Sequence, residues 1–271
     1  PGATSKPELI RLMVGRTLSE VYPQSRRPPD GPLLEVDHLG RPGAFESVTF
    51  SVARGEILGV FGLVGSGRSA MARAIFGAEP AETGTIRIEG QSLRPASPRQ
   101  AVAQGIALLT EDRKRDGLVM HLSVRDNVSL SSFGRLSRSI VIDRARQDSA
   151  VLAKTRQLDI RPPDPGRLVR YLSGGNQQKV VLAKWLMTEA RVLILDEPTR
   201  GVDVATKVEF YQLIGDLADQ GLAIILISSE LPEVLGMSDR ILVMRDGRIV
   251  GESTRAEATE EAILSRAAGV G

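Results

Sequence analysis

The sequence predicts an α/β fold in which a parallel sheet carries helices on both faces. Three observations predict it. Short apolar runs at residues 57–61, 106–109, 192–195 and 223–227 have the length and continuity of parallel strands buried on both faces. The first run leads directly into Gly62-Leu-Val-Gly-Ser-Gly-Arg-Ser69 and then a helical stretch, residues 70–76, the order of elements a phosphate-cradling loop requires. The third ends in Asp196-Glu197, which brings two carboxylates to the carboxyl ends of the strands, where ligands of such sheets bind.

The elements follow in order. Residues 1–32 are rich in Pro, Arg and Ser and read as a linker, with one amphipathic stretch at residues 7–14; the folded unit is expected over 33–271. Alternating and apolar segments at 34–39, 48–52 and 86–88 read as strands, and 106–109 returns to the parallel sheet. From about 122 to 172 the pattern turns helical and polar, with an amphipathic helix expected over 143–158 and Pro162, Pro163 and Pro165 breaking it. This stretch is the candidate helical subdomain. Helices are expected at 177–187 and 206–218, a hairpin at 240–250 turning on Asp246-Gly247, and a last helix at 255–267.

Three clusters carry candidate chemistry. In the first loop, the backbone N–H groups of Gly62, Gly65, Ser66, Gly67, Arg68, Ser69 and Ala70 would cradle phosphates, with the Ser69 hydroxyl turned toward magnesium. Arg68 departs from the motif, which asks for Lys, because a planar fork does not replace a compact ammonium inside a tight loop. A glycine-rich βα turn without a ligand is the alternative. In Leu172-Ser-Gly-Gly-Asn176-Gln177, Ser173, Gly174 and Gly175 free the backbone to approach a phosphate, and their N–H groups at the start of the helix expected over 177–187 make an anion site. A glycine turn capping a helix competes with that reading. Asp196 would hold magnesium and Glu197 would face an attacking water, against the plainer alternative of an acidic strand end.

With 271 residues, 42% of them hydrophobic and 25% charged, the chain has the composition of a globular protein with one substantial core. A net charge of +2 gives no ground for nucleic acid or lipid as a partner, and the basic cluster Arg113-Lys-Arg115 reads as solvated surface. The chain has no Cys, which fits a reducing compartment. No apolar run approaches the roughly 18 residues of a spanning helix, and no signal-peptide pattern opens the chain. A start at Pro1 beside linker-like sequence leads to the expectation of a fragment whose N-terminal half is missing.

Taken together, these motifs give a specific resemblance. The chain resembles the C-terminal nucleotide-binding domain of the double-domain ATPase subunit of bacterial ABC importers for ribose, galactose, xylose and related monosaccharides. The segments that carry it are Glu8 to Arg16, Glu111-Asp-Arg-Lys-Arg-Asp-Gly-Leu118, Leu172 to Lys179, Asp196-Glu-Pro-Thr-Arg-Gly-Val-Asp203, and Ser228 to Asp239. The resemblance implies a P-loop NTPase with a RecA-like core, an antiparallel β subdomain and a helical subdomain. ATP and Mg2+ are the implied cofactors. The implied partners are the N-terminal ABC domain of the same full-length chain, transmembrane permease subunits and, indirectly, a periplasmic or lipid-anchored sugar-binding protein, all served from the cytoplasmic face of a bacterial membrane.

Within that family Leu172 to Gln177 forms a signature loop that closes the nucleotide site of a partner domain. Two more positions depart from the pattern: Glu111 stands where a Gln joins magnesium and water, and Ser229 where a His follows the strand 223–227. Each lost contact costs about a hundredfold to a thousandfold in rate, so Arg68, Glu111 and Ser229 together predict weak hydrolysis at this domain's own loop, with Glu197 unable to rescue it. Asp203 is expected either at the dimer interface or as the N-cap of the next helix. Phe45 is either an adenine platform or core, and 111–120 either receives a helix of the membrane subunit or is ordinary surface. A regulatory module without turnover and a nucleoside or autoinducer importer remain alternatives. An ABC protein of DNA repair or translation would carry a coiled-coil insertion, zinc ligands or strong positive charge, none of which the sequence has.

Overall fold

The computed structural model describes Tyr22, residues 29–138 and residues 141–270. The linker reading over 1–32 therefore falls mostly outside the described residues, as do the amphipathic stretch 7–14 and the segment Glu8 to Arg16. In chain order the strands are β1 (Asp30–Arg41), β2 (Phe45–Arg54), β3 (Ile57–Phe61), β4 (Thr83–Ile88), β5 (Gln91–Leu93), β6 (Ile106–Leu109), β7 (Ser137–Arg138), β8 (Val141–Ile142), β9 (Val192–Asp196), β10 (Ala223–Ile227), β11 (Arg240–Arg245) and β12 (Arg248–Thr254). The helices are α1 (Arg68–Ile75), α2 (Pro98–Ala103), α3 (Val124–Ser129), α4 (Phe133–Leu136), α5 (Arg144–Gln157), α6 (Gly174–Leu186), α7 (Val204–Asp219), α8 (Leu231–Met237) and α9 (Glu260–Ala268), and a π turn spans Arg113–Gly117.

The main sheet runs β12-β11-β3-β10-β9-β6, parallel except for β12, which returns beside β11. Every residue of β3, β6, β9 and β10 is buried, so no polar face is needed and the strands carry no polar side chain except Asp196 at the end of β9. Each such Val, Leu or Ile contributes roughly 1.5–3 kcal/mol relative to exposure. Ile227 pairs with both Val60 and Asp196, so the loops leaving β3, β9 and β10 start side by side. That register brings the candidate residues to one edge. Helix α8, with Pro232 in its first turn, packs so closely on β3 that a Cβ on Gly59 would lie 2.2 Å from the Ser238 hydroxyl.

The second sheet, β2-β1-β4-β5, is antiparallel, with Val36 opposite Phe50 on one side and Ile86 on the other. Strand β1 begins at Asp30, inside the stretch read as linker, because Asp30 already pairs with Arg54. The region 122–172 holds α3, α4, the short β7–β8 pair and α5. The buried stripe of α5 is narrower and more polar than an amphipathic reading suggests: it is Gln147, Val151 and Thr155. Gln147 Nε2 donates to Ser129 Oγ at 2.7 Å and Thr155 Oγ1 to the Val151 carbonyl at 2.8 Å, which satisfies both polar members.

The last helix begins five residues later than expected. Thr259 caps it, its Oγ accepting from Ala262 N at 3.2 Å. Among the described residues no helix is long and apolar enough to cross a membrane.

Candidate functional site

The loop after β3 is shaped by close approaches. A Cβ on Gly62 would lie 2.4 Å from the Met244 carbonyl oxygen, and Gly67, at φ 95°, caps α1 in the left-handed conformation. Ser66 N donates to the Leu63 carbonyl at 3.0 Å, and Gly247 N to the Ser66 carbonyl at 3.1 Å, which ties the loop to the β11–β12 turn. The loop surrounds a recess of about 280 Å³ lined by Gly43, Ala44, residues 65–70 and Arg73. Thus six of the seven residues singled out in the sequence line one recess, and Gly62 is outside its lining. Ser66 is buried and its Oγ has no protein partner, as expected of a donor awaiting an anion. Phe45 is core at 1% exposure, so Ala44, not an aromatic ring, borders the recess.

Arg68 turns beneath this loop. Its Nη1 donates to the Ser228 carbonyl at 2.6 Å and stands 3.7 Å from Glu197 Oε1, and the residue is 8% exposed. Burial lowers its pKa, against the opposing pull of Glu197 and Asp196. Ser69 Oγ donates to Asp196 Oδ1 at 3.1 Å, while burial raises the Asp196 carboxyl above the ordinary range. Glu197 follows at φ 50°, a left-handed strain costing roughly 1–3 kcal/mol, with its N–H bonded to the Ile227 carbonyl at 2.9 Å. Its Oε2 accepts from Ser229 Oγ at 3.1 Å. Arg68, Ser69, Asp196, Glu197 and Ser229 therefore form one cluster. Glu111 stands outside it, its carboxylate ion-paired with Arg200.

Among the described residues no group of three or more His, Cys, Asp or Glu forms a metal cage. The Ser69–Asp196 oxygen pair suits a hard cation that takes its remaining ligands from phosphate and water, as magnesium does.

The second loop opens α6. Ser173 is its N-cap, with Oγ accepting from Asn176 N at 3.3 Å and from Asn176 Nδ2 at 2.9 Å. Asn176 Oδ1 accepts from Arg161 N at 2.7 Å, and buried Gln177 donates to the Val169 and Leu172 carbonyls at 3.3 and 3.2 Å. These two amides hold the loop's shape. Leu172 is buried, and a Cβ on Gly175 would lie 2.2 Å from Thr206 Cγ2, where α7 packs against the loop. A Cβ on Gly174 would meet the guanidinium of Arg113, whose Nη2 would stand 2.7 Å away, and the Gly201 carbonyl oxygen at 3.4 Å.

Asp203 caps α7, accepting from Thr206 N at 2.9 Å and Thr206 Oγ1 at 2.7 Å, bonds that hold its carboxyl below the usual range. Asp203→Ala should cost about 1 kcal/mol and lower Tm by about 2–4 °C. Thermal denaturation checks this; an unchanged Tm would mean that the cap carries no weight.

Two contributors escaped the sequence reading. Arg113, whose basic cluster reads in the sequence as solvated surface, donates through Nε to Gln177 Oε1 at 3.4 Å and through Nη1 to the Arg200 carbonyl at 3.2 Å. Glu233, at 1% exposure, accepts from Thr199 Oγ1 at 2.9 Å and also bonds Ser228, so it links the loops that carry Glu197 and Ser229. An acidic residue two places after Leu231 gave no local signal of burial; the only hint was its place beside Ser228-Ser229.

A family profile described as ABC transporter matches residues 45–200. The chain is 48% identical over 267 residues to a ribose import ATP-binding protein of Streptomyces coelicolor, covering 98% of this chain and 52% of that protein. It is also 48% identical over 263 residues to one of Rubrobacter xylanophilus, covering 97% and 53%. The chain spans about half the length of the curated relatives it matches. Among solved structures, a nucleotide-free ATP-binding cassette from an ABC transporter superposes with a TM-score of 0.73 at 20% identity, covering 87% of this chain and 96% of the other. A dimeric cassette in a post-hydrolysis state bound to ADP and Pi gives a TM-score of 0.70 at 20% identity, covering 82% and 98%. These two likenesses show the fold.

Proposed function

Because the chain belongs to the ABC transporter family, we propose that it is an ATP-binding domain that energises monosaccharide import, ribose or a close relative, chiefly by completing the nucleotide site of a partner domain. The observation that carries this reading is the contrast between the two loops. At its own loop, Arg68 is turned under, bonded to the Ser228 carbonyl and close to Glu197. The loop at α6 is capped by Ser173 and held by its own amides, and its Gly174 is approached only by the end of the Arg113 side chain and the Gly201 carbonyl.

The residues at the first loop fit ATP with magnesium. Loop N–H groups and the Ser66 hydroxyl would hold phosphate oxygens, and Ser69 with Asp196 would hold the metal. Magnesium, when bound, offsets phosphate charge. Glu197 would face the attacking water, with the Arg68 guanidinium 3.7 Å from its Oε1 where a bare carboxylate is wanted. Ser229 orients Glu197 without supplying the cation a protonated His would bring. The signature loop offers a helix N-terminus to phosphate held by the partner.

The partner we propose is an N-terminal ABC domain on the same polypeptide, for which the greater length of the relatives leaves room. Permease subunits would supply the membrane crossing, at its cytoplasmic face, with a sugar-binding protein acting through them. A groove of about 620 Å³ between α1, β6, the π turn and α6 suits a permease helix: Phe76 and Trp185 form its apolar floor, and Thr110 Oγ1 and Trp185 Nε1 lie buried without protein partners.

Turnover of ATP tests the assignment. This chain alone should show little, and a mixture with the separately expressed N-terminal half should exceed it by about a hundredfold. Appreciable turnover alone would refute a degenerate own site. Nucleotide binding without turnover in the mixture would favour a regulatory module, the reading that the buried Arg68 also supports.

A further inference from the structure

The segment 111–115 does more than border a groove. Strand β6 ends at Leu109, and Asp112 then caps the π turn, its Oδ1 accepting from Lys114 N at 3.0 Å and Arg115 N at 3.1 Å. This turn directs the Arg113 side chain across to the start of α6. There one guanidinium reaches three things at once. Nε donates to Gln177 Oε1, Nη1 donates to the Arg200 carbonyl in the loop that follows the carboxylates of β9, and Nη2 lies over Gly174. The Arg200 side chain returns to Glu111, so the link between the two loops is doubled. The surrounding cavity, about 350 Å³, is lined by Glu111, Asp112, Arg113, Lys114 and Arg200, and desolvation there lowers the Arg113 pKa while leaving it a cation.

We propose that Arg113 is a positioning residue for the signature loop. It fixes residues 173–177 relative to the loop carrying Arg200 and Asp203, so the loop is already in place when it meets a partner's nucleotide. The proposal rests on the reading that this loop serves a partner site. Its physical basis is the fork: a guanidinium donates in two directions from one plane, and an ammonium on a flexible stem does not hold both acceptors in fixed geometry. Glu111 thereby acquires a role different from the Gln of the family pattern, holding Arg200 and not magnesium or water.

The test uses Arg113→Ala, Arg113→Lys and, as a control, the exposed Arg115→Ala. In this chain alone, amide hydrogen exchange at residues 173–177 should quicken about tenfold in R113A and by less in R113K, with no change in R115A. In the mixture with the N-terminal half, R113A should lower kcat about tenfold or more with KM for ATP within about twofold, because the lost contacts lie outside the partner's own phosphate loop. Added methylguanidinium should restore part of that loss. Unchanged exchange in R113A overturns the proposal whatever the turnover. Unchanged kcat in R113A overturns it alone if Gly174→Asp still stops turnover; if Gly174→Asp is also without effect, the partner-site reading falls with it.

Discussion

Gly174→Asp is expected to stop ATP turnover in a mixture of this chain with the proposed N-terminal ABC domain, while the chain keeps its fold. Gly174 is the first residue of a 13-residue helix, so its N–H is among the free donors that make the helix start attractive to anions. A Cβ there meets only the far end of the flexible Arg113 side chain at 2.7 Å and the Gly201 carbonyl oxygen at 3.4 Å. The side chain is therefore accommodated, and its carboxylate lies beside Arg113 at the place proposed for a partner's phosphate. A carboxylate fixed there repels phosphate and pairs with the guanidinium that holds the loop. Turnover should fall about a hundredfold or more, with Tm within a few degrees of wild type. Undiminished turnover in a folded variant would sink the assignment. Gly175 offers no such clean test: a Cβ at 2.2 Å from Thr206 would force α6 and α7 apart and confound lost function with lost packing.

The fold was legible where burial alone decides the sequence. The runs 57–61, 106–109 and 223–227 coincide with β3, β6 and β10 because strands covered on both faces accept only apolar residues, and polar or glycine residues bound them. Helix starts were harder. α1 begins at Arg68 and α6 at Gly174, two and three residues before the sequence reading, because glycine and polar residues in a capped first turn look like loop. At the site, the composition of the glycine loops and the order Asp196-Glu197 were visible, since backbone demands fix those residue types. The directions of Arg68, Glu111 and Arg113 were not visible. Each is a long side chain whose partner comes from a distant segment: Ser228, Arg200 and Gln177. Local sequence distinguishes a buried fork from a solvated one only when those acceptors are known.

Glu233→Gln should stabilise the chain at pH 8 and leave it little changed at pH 5. Burial on α8 is the main cause that pushes the Glu233 carboxyl from 4.5 up to about 7; bonds from Ser228 and Thr199 pull it down, Glu230 pushes it up, and Lys207 pulls it down. For an acid whose folded pKa is raised, the folded state binds more protons than the unfolded state between those two values. Stability therefore falls as pH rises from about 4.5 to about 7, and above that window the buried charge costs roughly 3 kcal/mol. A Gln at this position carries no charge to bury, and its carbonyl can still accept from Thr199 Oγ1, the contact that ties the loop after Glu197 to α8. Unfolding free energies of both proteins at pH 5 and pH 8 give the measurement. The variant's advantage should appear only at the higher pH, and the difference cancels the titration of every other group. If the two proteins lose stability in parallel across that window, Glu233 is not the group that titrates there.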